Sequence, residues 1–254
     1  MSIQIIGICV IKNEDIYIKN VLDNIIDFCD TILVIDNQST DETVSIVKKC
    51  VNEHSKISLY FLKNINKSHK YVEPFVGKDV WAFGVDGDEL YDAVGLRTLR
   101  RQILSGEYQK DWMLRGYFFH LIEMDKEKKM GYGYLAPPSK DPNKLYNLKL
   151  LKSWKNDKTQ PIFHPQTHVF RNSKYYSQHY PPKKKLYNMY NWKDCPLRCV
   201  HTRMIKRSSI EQYKTLINAR LNMSNIINNK QYNFREKYQM GKKIKIDISM
   251  FLKA

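Results

Sequence analysis

Continuous β-branched runs separated by amphipathic stretches fill roughly the first hundred residues, and that alternation confines the chain to a mostly parallel sheet covered by helices. IQIIGICVI (residues 3–11) is apolar throughout, as a strand buried on both faces requires. Tyr17, Val21, Leu22, Ile25 and Ile26 then recur at helical spacing. TILVID (residues 31–36) reads as a second buried strand, and STDETVSIVKKC as a second helix, where Ser39 three residues before Glu42 predicts a capping box. Further strands are predicted at residues 57–62 and 80–85, and a helix at 93–104. Such short β-α-β units impose right-handed crossovers, so the predicted fold is α/β, with an open, doubly wound sheet.

Sheets of this kind take ligands at the carboxyl ends of their strands. KNED follows the first strand, DNQSTD the second and DGDE the fourth, so these polar clusters are expected to meet in one crevice. In DGDE, Asp86 and Asp88 flank Gly87, which is expected to permit a sharp backbone path. Two hard carboxylate oxygens suit Mn2+ or Mg2+. An EF-hand is excluded, because its ligand pattern does not continue past Glu89.

The second half carries less regular signals. WMLRGYFFHLI (residues 112–122) reads as one long strand, and residues 125–165 as a loop-rich lid or acceptor-binding segment. PLRCVHTR reads as the last short strand, followed by an amphipathic helix from Ile210 to Ile227 capped by Ser208 and Glu211. The tail MGKKIKIDISMFLKA alternates Lys with Ile, which fits an edge strand or a peripheral membrane-surface segment. Aromatic residues including Trp112, Tyr117, Trp154 and Trp192 offer faces for a sugar acceptor, although most such rings are core. Five cysteines at irregular spacing argue against a disulfide framework, and Cys195, Cys199 and His201 do not complete a zinc ligand set. The apolar N-terminal run has no basic leader, so a cytoplasmic location is expected. A formal charge of +16 favours anionic ligands of several kinds. No nucleic-acid partner is expected, because the nearest basic run is PPKKK and no zinc-finger or RRM signature accompanies it.

VIKNEDIYIKNVLDNIIDFCDTILVIDNQSTDETVSIV, followed later by VWAFGVDGDEL, resembles the family 2 glycosyltransferases, which have the GT-A fold. The resemblance covers about residues 1–105 and rests on N-E, D-N-x-S-T-D and D-x-D-E in this order; THVFRNSKYY and VHTR add weaker likeness. It implies inverting transfer of a sugar from a UDP-, GDP- or dTDP-linked donor to a glycan, glycoprotein or glycolipid hydroxyl, with Mn2+ or Mg2+ bridging the D-x-D carboxylates and the diphosphate. On this likeness, residues 1–105 form the nucleotide-sugar half, 106–207 the acceptor half, and 208–254 a C-terminal helix and basic tail.

Carried over position by position, Ile11, Asn13 and Glu14 line the nucleoside pocket, while Asp36 and Asn37 meet the base, Asn37 standing where many members have Asp. Asp86 faces ribose and metal, Gly87 adjoins it, Asp88 is the direct ligand and Glu89 supports them. Lys67 and Lys70 stand where a phosphate-neutralising cation is expected, Arg203 and Arg207 reach the diphosphate, and His201 is a third metal ligand. The catalytic base is sought among Glu123, Asp125 and Asp194, with Asp194 preferred because it precedes His201 closely. A sugar nucleotidyltransferase is the nearest alternative, but VIKNEDIY lacks the glycine-rich phosphate loop it requires. A basic nucleic-acid-binding protein or metal-dependent nuclease is the other.

Overall fold

The computed structural model describes residues 2–137, 145–154, 168–170, 183–211 and 242–252. Its first part runs β1 (Gln4–Ile11), α1 (Ile18–Ile25), β2 (Thr31–Asp36), α2 (Thr43–Glu53), β3 (Ile57–Phe61), β4 (Val80–Asp86), β5 (Glu89–Tyr91) and α3 (Ala93–Leu104). Strands dominate the rest: β6 (Met113–Arg115), β7 (Tyr117–Asp125), β8 (Met130–Ala136), β9 (Leu145–Asn147), β10 (Leu151–Trp154), β11 (His168–Phe170), β12 (Lys183–Lys185), β13 (Arg198–His201) and β14 (Ile244–Asp247). Seven strands form the main sheet in the order β12-β6-β9-β4-β1-β2-β3, and five form a second sheet, β14-β8-β7-β13-β5.

In the main sheet β1 to β4 pair in parallel, and β9 is antiparallel to both β4 and β6. The continuous apolar text of β1 follows from its two covered faces. Ile5, Cys9 and Ile11 join Val21, Leu22, Ile25, Val47 and Leu96 in one core, while Ile6 and Ile8 join Val72, Ala82, Tyr146 and Trp154 in the other. Each Ile, Val and Leu among them contributes about 1.5–3 kcal/mol relative to exposure. Because β2 and β4 flank β1 on opposite sides, the strand order reverses there, and the carboxyl ends of these strands are where such a sheet takes a ligand.

The run at 112–122 is two strands, not one. β6 belongs to the main sheet and β7 to the second, and the chain crosses between them at Gly116, where an added Cβ would run into the Leu197 carbonyl. That carbonyl also accepts from Tyr117 N at 2.9 Å, which fixes the crossing. The segment expected to be loop-rich contains β8, β9 and β10, so only part of it is free of regular structure among the described residues. β13 is not the last strand, because β14 pairs antiparallel with β8 and makes the tail an edge strand. Lys243 and Lys245 lie 5.8 and 5.4 Å from the Tyr132 ring centroid, so part of the tail's charge rests on an aromatic face.

The capping box at Ser39 does not form. The residue preceding α2 is Glu42, without a side-chain cap, and the Ser39 hydroxyl accepts instead from Asn13 N at 2.9 Å. The helix expected beyond Ser208 and Glu211 lies outside the described residues from 212 onward. All five cysteines are buried and free. Among the described residues no helix is long and apolar enough to cross a membrane.

Candidate functional site

The turns leaving β1 and β2 are lashed to each other. Thr40 N donates to Asn13 Oδ1 at 2.8 Å, and Glu14 N donates to the Thr43 hydroxyl at 2.8 Å. Asn13 and Gln38 hold φ of 55° and 61°, a left-handed conformation in which few residues other than glycine and asparagine are at ease. Ile11, Asn13, Glu14, Asn37, Ile65 and Arg207 line the cavity beside these turns, which measures about 390 Å3. Asp36 is only 2% exposed and spends its carboxylate on its own turn, accepting from Ser39 N at 3.1 Å. Lys67 and Lys70 are exposed on the short helical segment Ile65–Tyr71, of which Ile65 reaches the cavity wall. Arg203 is exposed and does not line the cavity.

At the end of β4 the carboxylates separate by environment. Asp86 is exposed, whereas Asp88 is 3% and Glu89 0% exposed. Glu89 Oε2 accepts from Asp86 N at 3.1 Å and from the Tyr91 hydroxyl at 3.2 Å, so it braces the turn. Gly87 is not among the described glycines with positive φ, which are Gly77 and Gly106. Its need is spatial: a Cβ there would collide with the Glu14 side chain.

Asp88 is the hub. Its backbone carbonyl accepts from Thr202 N at 2.8 Å, and its Oδ2 lies 2.9 Å from Arg207 Nη1 and 3.5 Å from His201 Nε2. The same Nη1 donates to Glu14 Oε1 at 2.8 Å. Burial first, and the Asp88 carboxylate second, push Glu14 up to about 9 against the pull of Arg207. Burial thus favours the neutral Glu14 carboxyl, whose Oε1 accepts from Arg207. Behind them His201 Nδ1 lies 3.1 Å from His120 Nδ1, because β13 and β7 pair with those two residues opposite each other.

Sequence reasoning missed His120 and underweighted Arg207. A histidine inside the apolar run FFHLI was the available signal for the first; the second was expected at the diphosphate from its place after VHTR, but its pairing with Glu14 and Asp88 has no local signal.

Asp88 and His201 have donor atoms suited to Mn2+ or Mg2+, but as arranged they do not make a coordination shell. Arg207 occupies the approach to Asp88 Oδ2, and among the described residues no group of three or more His, Cys, Asp and Glu gathers as a metal site would. The base candidates also lie elsewhere. Asp194 sits in the turn closed on the Asn191 carbonyl at the entry of β13, and His201 at its exit, about 10 Å of strand from Arg198. Glu123 is exposed and 3.2 Å from Lys243, and Asp125 accepts from Lys128 N at 3.1 Å in the turn toward β8. Closeness to His201 therefore does not favour Asp194.

No protein-family model matches the sequence, and no curated protein does. Among solved structures, the chain is similar to S. aureus TarS residues 1–349 in complex with UDP, at 18% identity and TM-score 0.41, over 60% of this chain and 50% of that one. It is also similar to the mannosyltransferase PcManGT from Pyrobaculum calidifontis in complex with GDP-Man and Mn2+, at 20% identity and TM-score 0.34, over 48% and 36%. A third is 4-diphosphocytidyl-2C-methyl-D-erythritolsynthase from Anaerococcus prevotii, at 9% identity and TM-score 0.36, over 87% and 96%. The chain thus matches half or less of the length of the first two. Likeness at this level assigns neither family nor activity.

Proposed function

We propose that the chain is a glycosyltransferase that moves a sugar from a nucleoside diphosphate donor to a hydroxyl of a glycan, glycoprotein or glycolipid. One observation carries the reading: a cavity at the carboxyl ends of β1 and β2, beside the point where strand order reverses, joins amide and carboxyl groups to a partly buried arginine. The motif resemblance of the first 105 residues agrees with it.

In this reading the nucleoside occupies the wall made by Ile11, Asn13 and Asn37. Asn37 Oδ1 is buried and has no hydrogen-bond partner among the described residues, which suits acceptance from a base N–H. Asp86, exposed at the end of β4, takes the ribose hydroxyls. Arg207 supplies the positive charge that a departing diphosphate needs, in a site where solvent screens it little. Inversion at the anomeric carbon follows from the resemblance and is read from the product's configuration by NMR.

The test is thermal stabilisation by UDP, GDP and dTDP against a short oligonucleotide, followed by release of nucleoside diphosphate from the matching sugar donors. A diphosphate at 100 times its dissociation constant adds about 2.7 kcal/mol. Protection by the oligonucleotide alone would end the proposal. Formation of a nucleotide sugar and pyrophosphate from a nucleoside triphosphate and a sugar phosphate would replace it with nucleotidyl transfer.

A further inference from the structure

The basic run PPKKK ends in β12, at the far side of the main sheet from β3. β12 runs parallel to β6, β9 is antiparallel to both β6 and β4, and β4 is parallel to β1, so β12, β6, β4 and β1 all point the same way. Lys185, Arg115, Asp86 and Ile11 are their last residues, and all four stand at the carboxyl edge, where such a sheet takes ligands.

The cations also share a face with the donor side. Ile6, Ile8, Val80, Ala82 and Met113 belong to one core, and Val10 packs against it. Side chains alternate along a strand, which puts Asp86 on the face of Val80 and Ala82, and Arg115 on that of Met113. Lys183 and Lys185 pair in register with Met113 and Arg115 and join them there, whereas Lys184 goes to the other side with Leu114. Val10, paired with Asp86, lines the cavity, so the face that carries the cations is the one that reaches it.

Nothing acidic balances this group. Lys183 and Lys185 are exposed, and neither pairs with a carboxylate among the described residues. Partial burial first, then the charges of Arg115 and Lys185, pull the Lys183 ammonium below its ordinary range, and no carboxylate opposes them. Lys183 Nζ lies 5.5 Å from the Trp112 ring centroid, which holds it over an aromatic face beside its like charges. Cations kept together in this way are complementary to an anion, and Arg115 adds a planar fork that suits phosphate.

We propose that Arg115, Lys183 and Lys185 form an anion subsite that holds a phosphate group carried by the sugar or polyol acceptor. β6 stands two strand spacings from β4, about 10 Å, and β12 three, about 14 Å, so a short saccharide or polyol spans from the subsite to the donor side. The subsite's role toward an acceptor rests on glycosyl transfer, whereas its affinity for phosphate does not.

The experiment is calorimetric titration of the whole chain with glucose 6-phosphate, and with glucose as the uncharged control, at low salt and without nucleotide. Because no donor is present, a failure of donor hydrolysis would sink glycosyl transfer and leave this measurement standing. The wild type should bind glucose 6-phosphate measurably tighter than glucose, and Lys183→Gln with Lys185→Gln should weaken the phosphate ligand about tenfold. Arginine at both positions should restore the affinity. Lys48→Gln with Lys49→Gln, which removes the same charge from the exposed face of α2, should leave it unchanged. Circular dichroism melts verify folding, and Lys185→Gln alone decides the matter if the double variant does not fold. Equal losses in the two double variants would reduce the effect to net charge and overturn the proposal. So would equal affinity for glucose and glucose 6-phosphate, or a short oligonucleotide held by these residues that glucose 6-phosphate does not displace.

Discussion

Two arginines reach across the molecule to a buried aspartate, and their surroundings are finished differently. Arg198 Nε and Nη2 both lie 2.9 Å from Asp92 Oδ2, its Nη1 donates to the Trp192 carbonyl at 3.0 Å, and its Cζ lies 5.7 Å from the ring centroids of both Trp192 and Phe251. Asp92 Oδ1 meanwhile accepts from Val94 N at 2.9 Å and caps α3. No polar side-chain atom of that pair is left buried without a partner. The Arg207 cluster leaves Arg207 Nε and Glu14 Oε2 in that condition. Unsatisfied buried groups cost free energy, so each one calls for an explanation. Arg198 thus completes a satisfied structural pair, whereas Arg207 lines the cavity in a cluster that is not fully satisfied.

The sharpest way to break that contrast is to remove the carboxylate from each pair. Asp92→Ala strands a buried guanidinium and uncaps a helix, so unfolding in urea should show a loss of about 3–5 kcal/mol, with nucleotide affinity of the folded protein unchanged within a factor of about two. Asp88→Asn should lower donor hydrolysis about 100-fold or more, yet cost no more than about 1 kcal/mol of stability. If Asp88→Asn unfolds the protein and Asp92→Ala does not, the two assignments exchange places.

A smaller effect sharpens the comparison through pH. Glu14 has an ordinary pKa of 4.5 when unfolded and is pushed up to about 9 in the fold. Between those values the folded chain holds a proton that the unfolded chain has released, so stability from this group falls as pH rises through the window. Below 4.5 both states carry the proton and the slope vanishes. Melting temperatures of Glu14→Gln should therefore fall less than those of the wild type between about pH 5 and 8. Equal slopes would make Glu14 an ordinary ionised partner of Arg207 and bring its pair closer to the Arg198 kind.

The sequence made the first sheet readable because its signals are local. TILVID coincides with β2 and the helical spacing at 93–104 with α3, since burial on two faces or one stripe leaves its period in the text. The split at Gly116 could not be read, because what forces it is a carbonyl at Leu197, far along the chain. Gly87 was legible as a required glycine but for the wrong cause, since the side chain it accommodates belongs to another turn. The same holds for the site. Asn13, Glu14 and Asn37, expected in one crevice from their place after strands, line one cavity, whereas the Arg207 contacts cross 193 residues of chain to Glu14 and 119 to Asp88.

The part of the cavity wall made by Asn13 offers the finest test, because there the strain and the hydrogen bond can be separated. Asn13 sits at φ 55° and accepts from Thr40 N at 2.8 Å through its side chain. Asn13→Gly removes the bond and the steric strain together but adds freedom to the unfolded chain, so the net change should be about 1 kcal/mol. Asn13→Ala loses the same bond and keeps the unfavourable φ, and should cost about 1 kcal/mol more than the glycine variant. A gap of that size, measured in urea, would show that the β1 turn is strained but internally satisfied, which the Arg207 head group is not. Equal losses would mean that the left-handed turn relaxes on substitution and stores no strain.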